Sequence, residues 1–187
     1  MRFVDKAHSF ISKHLSKGDV CIDATAGNGH DSLFMAKLVT CEGSLFSFDI
    51  QVEALTQTKK LLTDNDCMRQ AKLIHDCHSR MKNSLNPDLM RRIKVVAFNL
   101  GYLPSGNHKI ITKKETTIKA ITEIYDWIDK NGVISVVAYR GHYGGIQETN
   151  AIQKLVETKN YYYLREENES KPQSPVFFKI YKSKRTD

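Results

Sequence analysis

The chain has 187 residues, 28 Lys and Arg against 21 Asp and Glu, and a formal net charge of +7. That length suits one domain with a real core (1–187), and an apolar share of 41% excludes wholesale disorder. The basic excess points to a polyanionic partner such as RNA, while no apolar run approaches the roughly 20 residues that span a bilayer.

Residues 3–16 carry Phe3, Ala7, Phe10, Ile11, His14 and Leu15 at helical spacing, and Lys17-Gly18-Asp19 ends that helix. Val20 to Asp23 reads as a buried strand, followed by a glycine turn, Ala24-Thr25-Ala26-Gly27-Asn28-Gly29, and a helix from Ser32 to Val39. Ser44 to Asp49 is a second strand, 51–64 a helix, 72–75 a third strand and Ile93 to Phe98 a fourth. A loop over 99–113 leads to a helix over 114–130, in which Ile118, Ile121, Ile124, Tyr125 and Ile128 share helical spacing. Gly132 stops it before a continuously apolar strand, Val133 to Ala138. The Gly144-Gly145 turn opens a helix over 146–159, and Tyr161 to Arg165 and Val176 to Tyr181 read as an antiparallel pair around Pro172 and Pro175. Strand–helix alternation implies a mostly parallel α/β sheet of seven strands, covered by helices on both faces, with an antiparallel C-terminal hairpin.

The opening Met1 to Lys6 lacks the apolar core of a signal peptide. Cys21, Cys41, Cys67 and Cys77 form no CxxC pair, so reduced thiols and a cytoplasmic location are expected.

In such sheets, ligands bind beyond the carboxyl ends of the strands. The glycine turn lets backbone N–H groups approach a ligand, and Asp49 lies at about the spacing of a ribose-binding acid. A dinucleotide fingerprint would place a third glycine where this chain has Ser32, and Asp23, Asp31 and Asp49 would repel a pyrophosphate. They suit a ligand with an ammonium and a sulfonium, as in S-adenosylmethionine. Asp23, Thr25, Gly27, Asn28, Gly29, Asp31, Asp49, Gln51 and His78 are therefore the expected cofactor contacts. Asp49 equally reads as an N-cap, and His78 as a cap of a short helix. His75, Cys77 and His78 lack a partner cluster that would complete a zinc site, so no metal is expected.

Asn99-Leu100-Gly101-Tyr102 is the acceptor candidate. The amide oxygen of Asn99 and the carbonyl of Leu100 or Gly101 can hold two N–H groups of an amine and leave its lone pair aimed at a methyl carbon, while Tyr102 stacks on a base. No cysteine lies in the loops after strands four and five for attack on a pyrimidine ring, which favours nitrogen as acceptor. Arg140, His142 and Tyr143 combine phosphate pairing, proton acceptance and stacking in one glycine-rich loop, as an RNA contact would. Lys109, Lys113, Lys114 and Lys119 extend a phosphate track or form a solvated face, and Lys182, Lys184 and Arg185 read as a solvated tail.

Several of these stretches together resemble a known family. They are Asp23 to Asp31, Phe48-Asp49-Ile50-Gln51, His75 with His78, Phe98-Asn99-Leu100-Gly101-Tyr102-Leu103-Pro104, Thr116 to Ala120, and Gly141-His142 with Gly145. The chain resembles, nearly end to end, the YtqB-like (MnmM-type) class I methyltransferases, long labelled rRNA methylases and associated with tRNA wobble-uridine modification. Related amino-methyltransferases carry two prolines where this chain has Leu100-Gly101. The resemblance implies a Rossmann-like fold, S-adenosylmethionine, and methylation of the 5-aminomethyl nitrogen of 2-thiouridine at position 34. It also implies a tRNA anticodon stem-loop as partner and a homodimer. A methyltransferase acting on rRNA or a small amine, and a non-catalytic cofactor- or RNA-binding module, remain as alternatives.

Overall fold

A computed structural model describes residues 2–103, 106, 110–171 and 173–184; Pro104, Lys109, Pro172 and Arg185, named above, lie outside them. The helices are α1 (Phe3–Ile11), α2 (His30–Val39), α3 (Val52–Thr63), α4 (Met81–Ser84), α5 (Lys114–Tyr125) and α6 (Gly145–Thr158). The strands are β1 (Val20–Asp23), β2 (Ser44–Asp49), β3 (Ala71–His75), β4 (Ile93–Leu100), β5 (Ile128–Ala138), β6 (Tyr162–Glu166) and β7 (Val176–Tyr181). They form one sheet in the order β3-β2-β1-β4-β5-β7-β6. Five strands run parallel, and β7 pairs antiparallel with both β5 and β6. From β1 the chain winds outward through β2 and β3, then returns to β4 on the other side of β1. That reversal opens a crevice at the carboxyl ends of β1 and β4, where α/β sheets take their ligands.

Side chains alternate cleanly between the two sheet faces, as a two-residue period requires. Val96, Phe98 and Leu100 of β4 join Ile134, Val136 and Ala138 of β5 and Phe178 and Ile180 of β7 in a core under α5 and α6. Val95 and Ala97 join Val133, Val137 and Phe177 in a second core under α1 and α2. Burying each large apolar side chain contributes about 1.5–3 kcal/mol, and both layers depend on β4 and β5. No helix among the described residues is long and apolar enough to cross a membrane.

Several boundaries differ from those expected, three of them near the strand ends or the core. The helix expected over 3–16 ends at Ile11. Beyond it, Leu15 still packs in the core, and the His14 ring stays over Phe10 with Nδ1 2.9 Å from the Phe10 carbonyl. The helix expected to 130 stops at Tyr125, and Ile128 pairs with Ile93 as the first residue of β5. Ile128 satisfies a helical period with Ile124 and Tyr125, but it is buried by the sheet instead. The fourth strand runs two residues further, to Leu100, so Asn99 is a strand residue paired with Val137 rather than a loop residue. Short helical turns at 40–42, 78–80 and 87–89, and α4, carry too few residues to show a period.

Candidate active site

The turn after β1 is fixed from both sides. Ala24 N–H donates to the Ala97 carbonyl of β4 (2.8 Å), and Ala26 N–H to the Phe48 carbonyl of β2 (2.9 Å). The Thr25 hydroxyl accepts from the Asn99 N–H (2.7 Å), joining the turn to the end of β4. Gly27 and Gly29 adopt left-handed φ values of 52° and 83°. At Gly29 a Cβ would stand 2.7 Å from the Thr58 Cα of α3, so this glycine serves the close approach of two segments.

Asp49, at the end of β2, accepts from Gly27 N–H through Oδ2 and from Gln51 N–H through Oδ1, both at 2.9 Å. One carboxylate thus holds the glycine turn and the start of α3 together. Each oxygen keeps a lone pair for a further donor. Asp49 is not the N-cap expected of it: that position is Gln51, which has no side-chain cap bond, and the carboxylate holds the Gln51 N–H from outside the helix.

A cavity of about 720 Å³ opens over these strand ends. Its lining includes Thr25, Gly27, Asn28, Asp31, Asp49, Gln51 and His78 on one side and Asn99, Tyr102 and His142 on the other. Ten of the expected site residues therefore meet in one hollow. Val4 of α1, Tyr139, the segment 110–113 and Gln173 complete its walls, and only their placement in the fold marks them. Among the described residues no group of three or more His, Cys, Asp and Glu is placed to hold a metal ion. The His75 Nε2–H is taken by the Ile50 carbonyl (2.9 Å).

Four of the expected site residues do not line this cavity. Asp23, expected among the cofactor contacts, is fully buried beneath the turn. It accepts from Thr25 N–H (3.1 Å) and from the Ser32 hydroxyl (2.6 Å), and Ser32 also meets the Ser47 hydroxyl at 2.9 Å. Ser32, which breaks the dinucleotide pattern, is thus the partner that a buried carboxyl needs. Gly29 is buried against α3 rather than facing the cavity. Arg140, expected on a phosphate, is committed to the β6–β7 loop through Glu167 (3.0 Å) and the Ser174 carbonyl (2.7 Å). Its side chain is only 13% exposed. Tyr143 projects outward, 91% exposed, beyond the cavity rim.

The carbonyls expected to hold an amine are also engaged. Leu100 O accepts from Tyr139 N–H (3.0 Å) and Gly101 O from Thr112 N–H (2.8 Å). Asn99 is different. Its Nδ2 donates to Asp31, while its Oδ1 is buried without a hydrogen-bond partner among the described residues. Both ring nitrogens of His142 are likewise buried and unpartnered. Its ring meets Tyr102 edge-on at 6.2 Å between centroids. Gln70 Oε1, Gln153 Oε1 and Arg140 Nη2 share this condition, but only the Asn99 and His142 atoms belong to side chains that line the cavity, where a ligand could pair them.

Burial and charge set the protonation states. Burial pushes the His78 imidazole down to about 4, so it is neutral at physiological pH. Glu148, in the first turn of α6, escaped the sequence reading. Burial raises its carboxyl, while bonds from the Thr117 (2.6 Å) and Thr112 (2.7 Å) hydroxyls act against that rise. It thereby ties the wall segment 110–113 to α5 and α6.

Burial, and then the neighbouring Asp31 charge, push the Asp23 carboxyl from 3.8 up to about 7. Between those values the folded protein holds a proton that the unfolded chain has released. The Asp23 contribution to stability is therefore complete below the ordinary carboxylate value and is lost as pH rises to about 7. Asp23→Asn is expected to flatten this fall. Urea unfolding at about pH 5 and about pH 8 should show wild type losing a few kcal/mol more than the variant between the two; equal losses would contradict the assignment.

Comparison with known proteins gives one consistent group. Residues 45–181 match the family described as "Putative rRNA methylase". The chain is 39% identical over 158 residues to the Arabidopsis thaliana chloroplastic tRNA (mnm(5)s(2)U34)-methyltransferase, covering 79% of this chain and 56% of that protein. The chain thus spans little more than half the length of that curated relative. Among solved structures it is similar to a Clostridium thermocellum protein described as "putative rRNA-methylase", at 34% identity and a TM-score of 0.90 over 97% of both chains. A Streptococcus mutans methyltransferase solved in complex with SAH follows at 28% identity and 0.84, over 97% of this chain and 98% of that one.

Proposed function

The chain belongs to the rRNA methylase family, and from that premise we propose that it is an S-adenosylmethionine-dependent tRNA methyltransferase. The proposed substrate is 5-aminomethyl-2-thiouridine at wobble position 34, which becomes 5-methylaminomethyl-2-thiouridine. The printed activity of the Arabidopsis relative and the SAH held by the Streptococcus protein support this reading. One observation of this chain carries it: a side-chain amide oxygen, Asn99 Oδ1, buried and unpartnered at the wall of the cavity. An amine N–H is the donor such an oxygen needs.

The cavity residues fit the cofactor. Asp49 has acceptor capacity for ribose hydroxyls, Gly27 lets backbone approach closely, and neutral His78 adds a surface without charge. Thr25, Asn28 and Gln51 complete this side of the cavity. Bound S-adenosylmethionine supplies a methyl group on a sulfonium, a good leaving group. The protein's own contribution is then proximity and orientation. Asn99 Oδ1 accepts one amine N–H and so points the nitrogen lone pair. Tyr102 presents a face for the base, and an unpartnered His142 nitrogen takes the proton that the amine gives up.

Tyr143, exposed at the rim, and the basic side chains Lys113, Lys114 and Lys119 are the proposed contacts of the anticodon stem-loop. Arg140 acts by holding the β6–β7 loop at that rim. In this reading the chain works as one domain over 1–187, as a cytoplasmic homodimer. The test is transfer of labelled methyl groups from S-adenosylmethionine to undermodified tRNA and to rRNA in parallel. Label in tRNA alone is expected; label in rRNA alone would favour the alternative substrate.

A further inference from the structure

The sequence places Asp31 beside the cofactor, yet its two oxygens are engaged elsewhere. Oδ2 accepts from the side-chain nitrogen of Asn99, and Oδ1 from His8 Nε2 of α1 (2.5 Å). The His8 ring is stacked on Phe34, with centroids 3.9 Å apart and planes within 4°, which fixes it from behind. Asp31 itself lies in the first turn of α2, where the helix N-terminus favours a negative charge. A side-chain amide has two ends of similar shape, and only its hydrogen bonds decide which way it points. With a carboxylate fixed at one end, the flipped amide would set carbonyl oxygen against carboxylate oxygen. The chain His8–Asp31–Asn99 therefore leaves one orientation, in which Oδ1 is the buried, unpartnered atom.

We propose that Asp31, backed by His8, is a positioning residue that locks the Asn99 amide with its oxygen toward the acceptor amine. The catalytic consequence rests on the function proposed above; the lock itself does not. The role also explains why α1 contributes to the site at all. Val4 lines the cavity, and one turn further along the same helix His8 braces the carboxylate.

The experiment compares wild type, Asp31→Ala, Asp31→Asn and His8→Phe. Three quantities are read: the solvent exchange of the Asn99 side-chain NH₂ by NMR, cofactor affinity by calorimetry, and kcat with undermodified tRNA. In Asp31→Ala the NH₂ should lose its protection and kcat should fall about 100-fold, the scale of a misplaced reactant, with cofactor affinity near wild type. Asp31→Asn should recover most of both losses, because its carbonyl oxygen can still accept from Asn99. A residue needed for its charge toward the cofactor would show no such rescue. His8→Phe keeps the stack on Phe34 and loses the brace, so it should give a smaller fall in kcat, and it serves if Asp31→Ala does not fold.

The lock is overturned if NH₂ protection and kcat survive in Asp31→Ala, or, where that variant does not fold, if both are unchanged in His8→Phe. It is also overturned if cofactor affinity, rather than kcat, carries the loss. Wild-type protein that protects the amide yet methylates no tRNA would overturn the proposed function and leave the lock standing.

Discussion

Asn99→Ala is expected to lower kcat by about 100- to 1,000-fold while cofactor affinity stays near wild type. Three features make the effect large and confined to transfer. The backbone N–H of residue 99 still reaches the Thr25 hydroxyl (2.7 Å), so the turn after β1 keeps its anchor. Asp31 keeps its bond to His8, so α1 stays attached. Only the amide disappears, and with it the Asn99 Oδ1 that has no hydrogen-bond partner among the described residues. The backbone carbonyls of Leu100 and Gly101 each already accept one N–H, from Tyr139 and Thr112, and keep a single lone pair apiece, so they replace it only in part. Stopped-flow or single-turnover transfer to tRNA measures the loss, and turnover close to wild type would remove Asn99 from the chemistry.

Asp49→Ala should act on the opposite half of the site, weakening cofactor binding by about 100-fold or more. Its carboxylate closes two half-buried 2.9 Å bonds, to Gly27 and to Gln51, and losing hydrogen bonds to a charged group costs about 1.5–3 kcal/mol each at most. Loss of the ribose acceptor adds to loss of the turn, and each 1.4 kcal/mol is about tenfold in affinity. Asp49→Asn should fall between the two, because one end of the amide would set a donor against a backbone donor. Calorimetry with SAH measures both variants. Unchanged affinity in Asp49→Ala would mean that the turn is held by other contacts and that the cofactor does not use this carboxylate.

The frame of the site is legible in the sequence, but its wiring is not. The continuous apolar runs of β4, β5 and β7 and the turn glycines Gly27 and Gly29 give the sheet, because strands buried on both faces carry apolar residues throughout; Gly132, expected to end a helix, lies inside β5 instead. The position of Asp49 over the crevice is legible too, because it follows from a place at a strand end. Asp23 and Asp31 look equivalent in the sequence, as two acids flanking one turn. Burial separates them. Asp23 points into the sheet, where the Thr25 N–H and the Ser32 hydroxyl, itself backed by Ser47, satisfy it, and Asp31 points along the crevice toward Asn99. That distinction depends on residues 8, 47 and 99, remote in the chain, and no local pattern records it. The placement of Arg140 is hidden for the same reason, since Glu167 and the Ser174 carbonyl, which take its Nη1 and Nε, arrive from the far hairpin. The overrun of the helix expected over 114–130 has a local cause. Asp126 and Trp127 carry no glycine or proline to punctuate the end of α5, and Ile128 suits a helical face and a strand equally.

The most direct test is nucleoside mass spectrometry of tRNA from a strain lacking this protein, before and after incubation with the purified protein and S-adenosylmethionine. The expected result is 5-aminomethyl-2-thiouridine before incubation and its N-methylated product afterwards, with Asn99→Ala protein leaving the amine unchanged. An amine that persists with active wild-type protein, or a methyl group found on a carbon or a ribose oxygen, would contradict it.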